Sequence, residues 1–121
     1  MQPSLPVPCF AVIFVSKLRA ADEAYAETLV RMKELGTRQP GFLGIESARA
    51  ADGKGVTVVF YDSAESAQAW ARNPSHREAQ HTGRKEWYEY YEMYYANVVS
   101  GRAWSAADAG IPEIPAAREG A

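Results

Sequence analysis

Two segments of this chain are apolar on both faces, and no other feature constrains its fold as tightly. In Cys9–Leu18 (CFAVIFVSKL), Phe10, Val12 and Phe14 alternate with Ala11, Ile13 and Val15. Successive side chains of a strand point to opposite faces, so neither face of this one is polar. Trp87–Val99 (WYEYYEMYYANVV) repeats the pattern and is expected to form a long strand. Trp87, Tyr91, Met93 and Tyr95 fall on one side and Tyr88, Tyr90, Tyr94 and Val98 on the other. Strands of this kind need cover above and below.

The segments between them say what supplies one cover. Asp22–Arg38 changes period, with Tyr25, Leu29, Met32 and Gly36 on one helical face. Gln39-Pro40-Gly41 ends that helix, because proline disfavours helical geometry in the residue before it and glycine permits the turn. Phe42–Arg49 and Val56–Tyr61 read as strands joined across the turn signal Asp52-Gly53-Lys54-Gly55, a hairpin. Ser63–Ala71 opens as a capped helix, and Asn73-Pro74 restarts it as cap and first residue of a second piece reaching Gly83. The order is β-α-β-β-α-β, a ferredoxin-like α+β arrangement with an antiparallel sheet. Its two helical segments cover one sheet face only. The other would be a larger apolar patch than a monomer usually exposes. The simplest cover is the same face of a second copy, so the expectation is a homodimer.

The 121 residues suit one domain, with an extension over residues 1–8, the domain at 9–104 and a tail at 105–121. The tail (SAADAGIPEIPAAREGA) has nothing from which to build a core. Fifteen acidic against thirteen basic residues and a pI near 5.7 argue against nucleic acid or an acidic membrane surface as partner. The N-terminal stretch has three prolines and no basic residue, unlike a signal peptide, and no apolar run approaches a membrane span. A soluble, cytoplasmic protein is expected. Cys9 is the only cysteine, which excludes an intrachain disulfide or a thiolate metal cluster.

His76 and His81 are the only histidines. A spacing of five sets them about 140° apart around a helix, so they cannot share a metal. His76 and Gln80, four apart, do share a face, and a base and a hydrogen-bonding partner in a pocket between helix and sheet would be spaced so. Imidazole suits proton abstraction because its ordinary pKa lies near neutrality. Trp70 suits a core anchor that also walls a pocket. An inward-facing tyrosine could orient a phenol or quinone. Ser16 shares the strand face of Phe10 and Phe14, as either a satisfied core hydroxyl or a pocket donor. There is no phosphate-binding glycine loop and no nucleophile elbow. An RNA-recognition motif has the same element order, but Val56 and Val58 stand where that fold stacks bases on aromatics.

Gln39-Pro40-Gly41-Phe42-Leu43-Gly44-Ile45-Glu46, Ala69-Trp70 followed by Asn73 and His76, and Gly83-Arg84 leading into Trp87-Tyr88 resemble the antibiotic biosynthesis monooxygenase family, over about Phe10 to Val99. The resemblance implies a dimeric α+β barrel. Some members oxidise aromatic polyketide intermediates with molecular oxygen and without metal or flavin; others degrade haem. Haem-degrading members carry an Asn at about the position of Ser16, a Trp at Trp70 and a His near Gln80 or His81; here the Asn is missing. The resemblance therefore points to a cofactor-independent monooxygenase acting on an aromatic or quinol-type molecule. His76 is the expected base, with Trp70, Ser16, Gln80, Tyr91 and His81 around the substrate. The alternatives are a non-catalytic dimer that binds a small aromatic ligand or serves a stress response, and a haem-degrading relative.

Overall fold

A computed structural model describes residues 2–115; Met1 of the expected extension and residues 116–121 of the expected tail lie outside the described residues. The elements run β1 (Cys9–Leu18), α1 (Glu23–Thr37), β2 (Phe42–Arg49), β3 (Lys54–Tyr61), α2 (Ala64–Ala71), α3 (Pro74–Thr82), a π-helical turn (Gly83–Trp87) and β4 (Tyr88–Val98). The strands form one antiparallel sheet in the order β2-β3-β1-β4. This is the expected ferredoxin-like α+β topology, with the two both-face-apolar strands adjacent.

Local chemistry sets the boundaries. Asp22 caps α1 by accepting a hydrogen bond from the Tyr25 amide at 2.8 Å. Gly41 holds φ at +83°, and a β-carbon there would meet the Ser66 and Asp62 side chains at 2.2 and 2.3 Å. Only glycine fits that turn. Ser63 caps α2 through the Ser66 amide, and Asn73 caps α3 through the amides of Ser75 and His76, with Pro74 as first helical residue. Each cap meets amides that the first helical turn cannot satisfy itself.

The helices lie over one face of the sheet. Tyr61, Ala67 and Trp70 form the buried centre there, packed by Phe10, Val12, Met32, Leu35 and Val59. The opposite face carries Ile13, Val15, Val58 and Phe60, all half-buried, and Val56, Tyr90 and Tyr94, which are exposed. Leu5 of the N-terminal extension lies over Gly44 at one end of that face, where Ala11 in the same cross-strand row is buried. No helix of the described residues is long and apolar enough to cross a membrane.

The last strand departs from expectation. Trp87 is not in it: it closes the π-helical turn, buried, with its ring edge-on to Tyr25 at 5.3 Å. Strand β4 starts at Tyr88, and its pairing slips by one residue, Leu18 facing Tyr88 while Lys17 faces Tyr90. A bulge inserts an unmatched residue, and a one-residue shift moves a side chain to the other face. Tyr88 therefore joins Tyr91 on the helix-facing side, both packed on Phe14, instead of Tyr90 and Tyr94 on the outer side.

Candidate functional site

Between the helices and the sheet lies a cavity of about 780 Å³, walled by α1, the helical segment through α3 and the inner faces of all four strands. Trp70, His76, Gln80 and Tyr91 line it, so four of the expected site residues are brought together. Their positions follow from the caps. Because Asn73 starts α3 just after α2 ends, His76 falls back over the indole of Trp70, and Gln80 follows one turn later.

The geometry at His76 decides its protonation state. Its ring stacks on Trp70 with centroids 4.4 Å apart and planes 12° from parallel. Its Nδ1 lies 3.1 Å from the Trp70 carbonyl oxygen. A carbonyl only accepts, so in the neutral ring Nδ1 carries the proton and donates it, and Nε2 keeps its lone pair. Burial pushes the pKa below the ordinary value of 6.5, with the Trp70 carbonyl partly opposing. The side chain is thus neutral at neutral pH and has one basic nitrogen.

The tyrosines around it are held in the opposite sense. Burial pushes Tyr61 up to about 12 and raises Tyr88 further still, helped by the neighbouring Tyr25 hydroxyl. Both are protonated hydroxyls at neutral pH, where His76 is neutral. The Tyr91 hydroxyl accepts from Arg84 at 2.9 Å and keeps its own proton to donate. The Trp87 indole, also on the wall, has an N–H without a partner among the described residues.

Two expected site residues are not on the cavity. Ser16 is fully buried, and its hydroxyl accepts from Arg49 Nη2 at 2.9 Å; the guanidinium stands between it and the cavity. Of the two roles open to Ser16, the satisfied buried hydroxyl is the one observed, and its place as a pocket donor is corrected. His81 is exposed and does not line the cavity, because a five-residue step turns it away from the His76 face. Sequence reasoning missed Arg49, Tyr25 and Tyr88. The first ends a strand, the second sits in the first turn of α1, and the third depends on the bulge. A signal existed for Arg49 alone: counting back from the Asp52-Gly53 turn sets it opposite Gly55. Among the described residues, no three of His, Cys, Asp or Glu come together as a metal site would require.

Fold and site together define a class: a small ferredoxin-like α+β protein with an aromatic cavity on the helix side of its sheet and a neutral imidazole in the wall. Comparison with known proteins makes this specific. Residues 9–82 match the antibiotic biosynthesis monooxygenase domain, and the chain belongs to that family. It is 45% identical over 91 residues to YqjZ of Bacillus subtilis, an uncharacterized protein, covering 75% of this chain and 80% of that one. Among solved structures, SnoaB, a cofactor-independent oxygenase from Streptomyces nogalater, superposes with a TM-score of 0.65 at 14% identity, over 81% of this chain and 97% of that one. Rv0793 of Mycobacterium tuberculosis superposes at 0.67 with 15% identity, over 78% and 99%. At these identities the structural likeness speaks to the fold alone.

Proposed function

We propose that this protein is a cofactor-independent monooxygenase that oxidises an aromatic, anthrone- or quinol-type molecule with molecular oxygen. The observation that carries the proposal is the basic nitrogen of His76, held neutral on the wall of a cavity lined by Trp70, Tyr88 and Tyr91. Membership of the family and the fold shared with SnoaB support the reaction class.

In an anthrone, the methylene between two rings is acidic because the resulting anion is aromatic. His76 Nε2 takes that proton. The electron-rich anion then gives electrons to oxygen, and one oxygen atom bonds to the carbon. His76 returns its proton to the peroxide so formed. Loss of the second methylene hydrogen as a proton then expels the outer oxygen as hydroxide, which takes up that proton and leaves as water while the inner oxygen ends as a ring carbonyl. The substrate supplies all the electrons. An apolar cavity opposes formation of the anion unless donors face it, and in this reading Gln80 and Tyr91, both on the wall, supply them.

A homodimer belongs to the same proposal. Val56, Tyr90 and Tyr94 are exposed on a sheet face that the helices do not cover, and a second copy packed face to face would bury them. The test of function is oxygen uptake with anthrones, quinols and dihydroxynaphthalenes, wild type beside His76→Ala. Uptake by wild type and its loss in the variant is the expected result. Undiminished uptake by His76→Ala would remove His76 as the base, and no uptake by folded wild type across the panel would favour a ligand-binding protein.

A further inference from the structure

One row across the sheet is built unlike the others. Arg49 on β2 faces Gly55 on β3, Gly55 faces Ser16 on β1, and Ser16 faces Tyr91 on β4. The Arg49 side chain lies along this row. It passes over Gly55, where an added β-carbon would sit 2.8 Å from the guanidinium carbon, and reaches Ser16 two strands away. Gly55 is buried, so the missing side chain is filled by arginine and not by solvent. Nη1 donates to the Gly53 carbonyl and Nη2 to the fully buried Ser16 hydroxyl. Two fixed acceptors and a glycine groove thus lay a cation on the cavity floor.

Arg49 is an exposed residue, so its charge is open to solvent and to a ligand, and no carboxylate of the described residues pairs with it. Among the described residues the one ion pair is Lys17 with Glu89, and the carboxylate that lines the cavity, Glu46, is not within bridging distance of Arg49. The guanidinium is near enough to Tyr88 for its charge to favour that hydroxyl's ionised form, although burial prevails. Lys33 is the other cation on the wall, and it comes from α1. A guanidinium with part of its fork spent on structural acceptors still presents planar donors, a geometry that matches a carboxylate. Aromatic walls beside it match a ring.

We infer that Arg49, laid over Gly55 and anchored by Ser16, is the anion-recognition residue of this cavity, and that the ligand is an aromatic carboxylic acid. The inference rests on the cavity being the ligand site, as proposed above, but not on oxygen chemistry taking place there. Recognition of this kind selects against uncharged analogues, because a ligand without the carboxylate forgoes the charge-assisted hydrogen bonds that the guanidinium offers.

The test compares 3-hydroxy-2-naphthoate with 2-naphthol, following quenching of tryptophan fluorescence, since Trp70 and Trp87 both line the cavity. Wild type should bind the carboxylate roughly tenfold or more tightly than the naphthol. Arg49→Gln should remove that preference, with the larger loss falling on the carboxylate. Gly55→Ala should do the same by displacing the guanidinium. Because Gly55 is buried in the sheet, Arg49→Lys is the safeguard, retaining charge without the anchored fork and giving an intermediate preference. Circular dichroism checks that each variant is folded. Equal binding of both compounds by wild type, binding of neither, or a preference that survives Arg49→Gln would each overturn the inference. Oxygen uptake on uncharged anthrones without a carboxylate preference would leave the oxygenase proposal standing and remove this one. A carboxylate preference lost in Arg49→Gln, with no oxygen uptake from any compound, would do the reverse.

Discussion

Replacing Trp70 by alanine should damage stability and site together, in amounts that can be worked from its surroundings. Trp70 is 9% exposed and stands at the centre of the helix–sheet core with Tyr61 and Ala67. Its other side rests on α1 at Gly36, where a β-carbon would lie 3.5 Å from the indole. Removing the ring forfeits its transfer energy and leaves a hole that two helices and a sheet cannot easily close. Truncations of this kind cost about 3–5 kcal/mol. A domain of this size is stable by only about 5–15 kcal/mol, so the loss should be visible as a large fall in the urea midpoint. Trp70→Phe keeps a ring under the imidazole and should cost much less. Urea titration at one fixed protein concentration, so that any self-association cancels, measures both. The local consequence is separable: without the indole, water reaches His76, and its pKa should rise toward the ordinary 6.5, followed by NMR of the ring protons. A loss below about 1 kcal/mol for Trp70→Ala would refute the reasoning, because it would mean that the indole is not the core anchor its burial indicates.

The pH dependence follows from His76 alone. As base it works neutral, so kcat/KM should be flat above neutrality and fall on acidification through a pKa below 6.5; a midpoint above 6.5 would contradict the buried imidazole. The same depression sets a stability trend. The folded state binds fewer protons than the unfolded one just below 6.5, so this contribution is complete above that pH and is lost as pH falls through the folded value, which denaturant titrations across the range would show. Gly36→Ala should raise stability by about 0.5–1 kcal/mol, since the helix gains a better former and the new methyl meets Trp70 at an ordinary contact distance; a drop in thermal midpoint would show that the α1–Trp70 contact has no room. Tyr94→Asp, on the outer sheet face, should shift the species seen in sedimentation velocity from dimer to monomer, and an unchanged dimer would place the interface elsewhere.

Most of the fold was legible because its signals are local and agree with one another. Two helix starts were marked by caps that the structure shows, Ser63 and Asn73, the helical period opened at Asp22, which caps α1, and Pro74 falls where its missing amide proton costs nothing. The Asp52-Gly53 turn was enough to set the β2–β3 hairpin. What failed was the start of β4. Trp87 and Tyr88 have the composition of a strand, and the π-helical turn and the bulge beside it are fixed by tertiary packing: Trp87 is drawn against Tyr25, and Tyr88 follows it inward. No periodicity count can find a register slip that one buried ring imposes.

The site divides along the same line. His76 and Gln80 were paired because helical spacing relates them, and helical spacing is visible in a sequence, while Trp70 stood out as a large aromatic suited to a core anchor. Ser16 was placed on the correct face of β1, yet its role turned on a residue 33 positions away. The row that joins it to Arg49 needs two pairings to be known at once, and it works through an absence, the side chain that Gly55 lacks. A glycine in a strand interior ordinarily weakens the sheet, so its position there calls for a compensating close approach. Here the approaching group is a guanidinium, and that makes Gly55 as much a part of the cavity's chemistry as Arg49 itself.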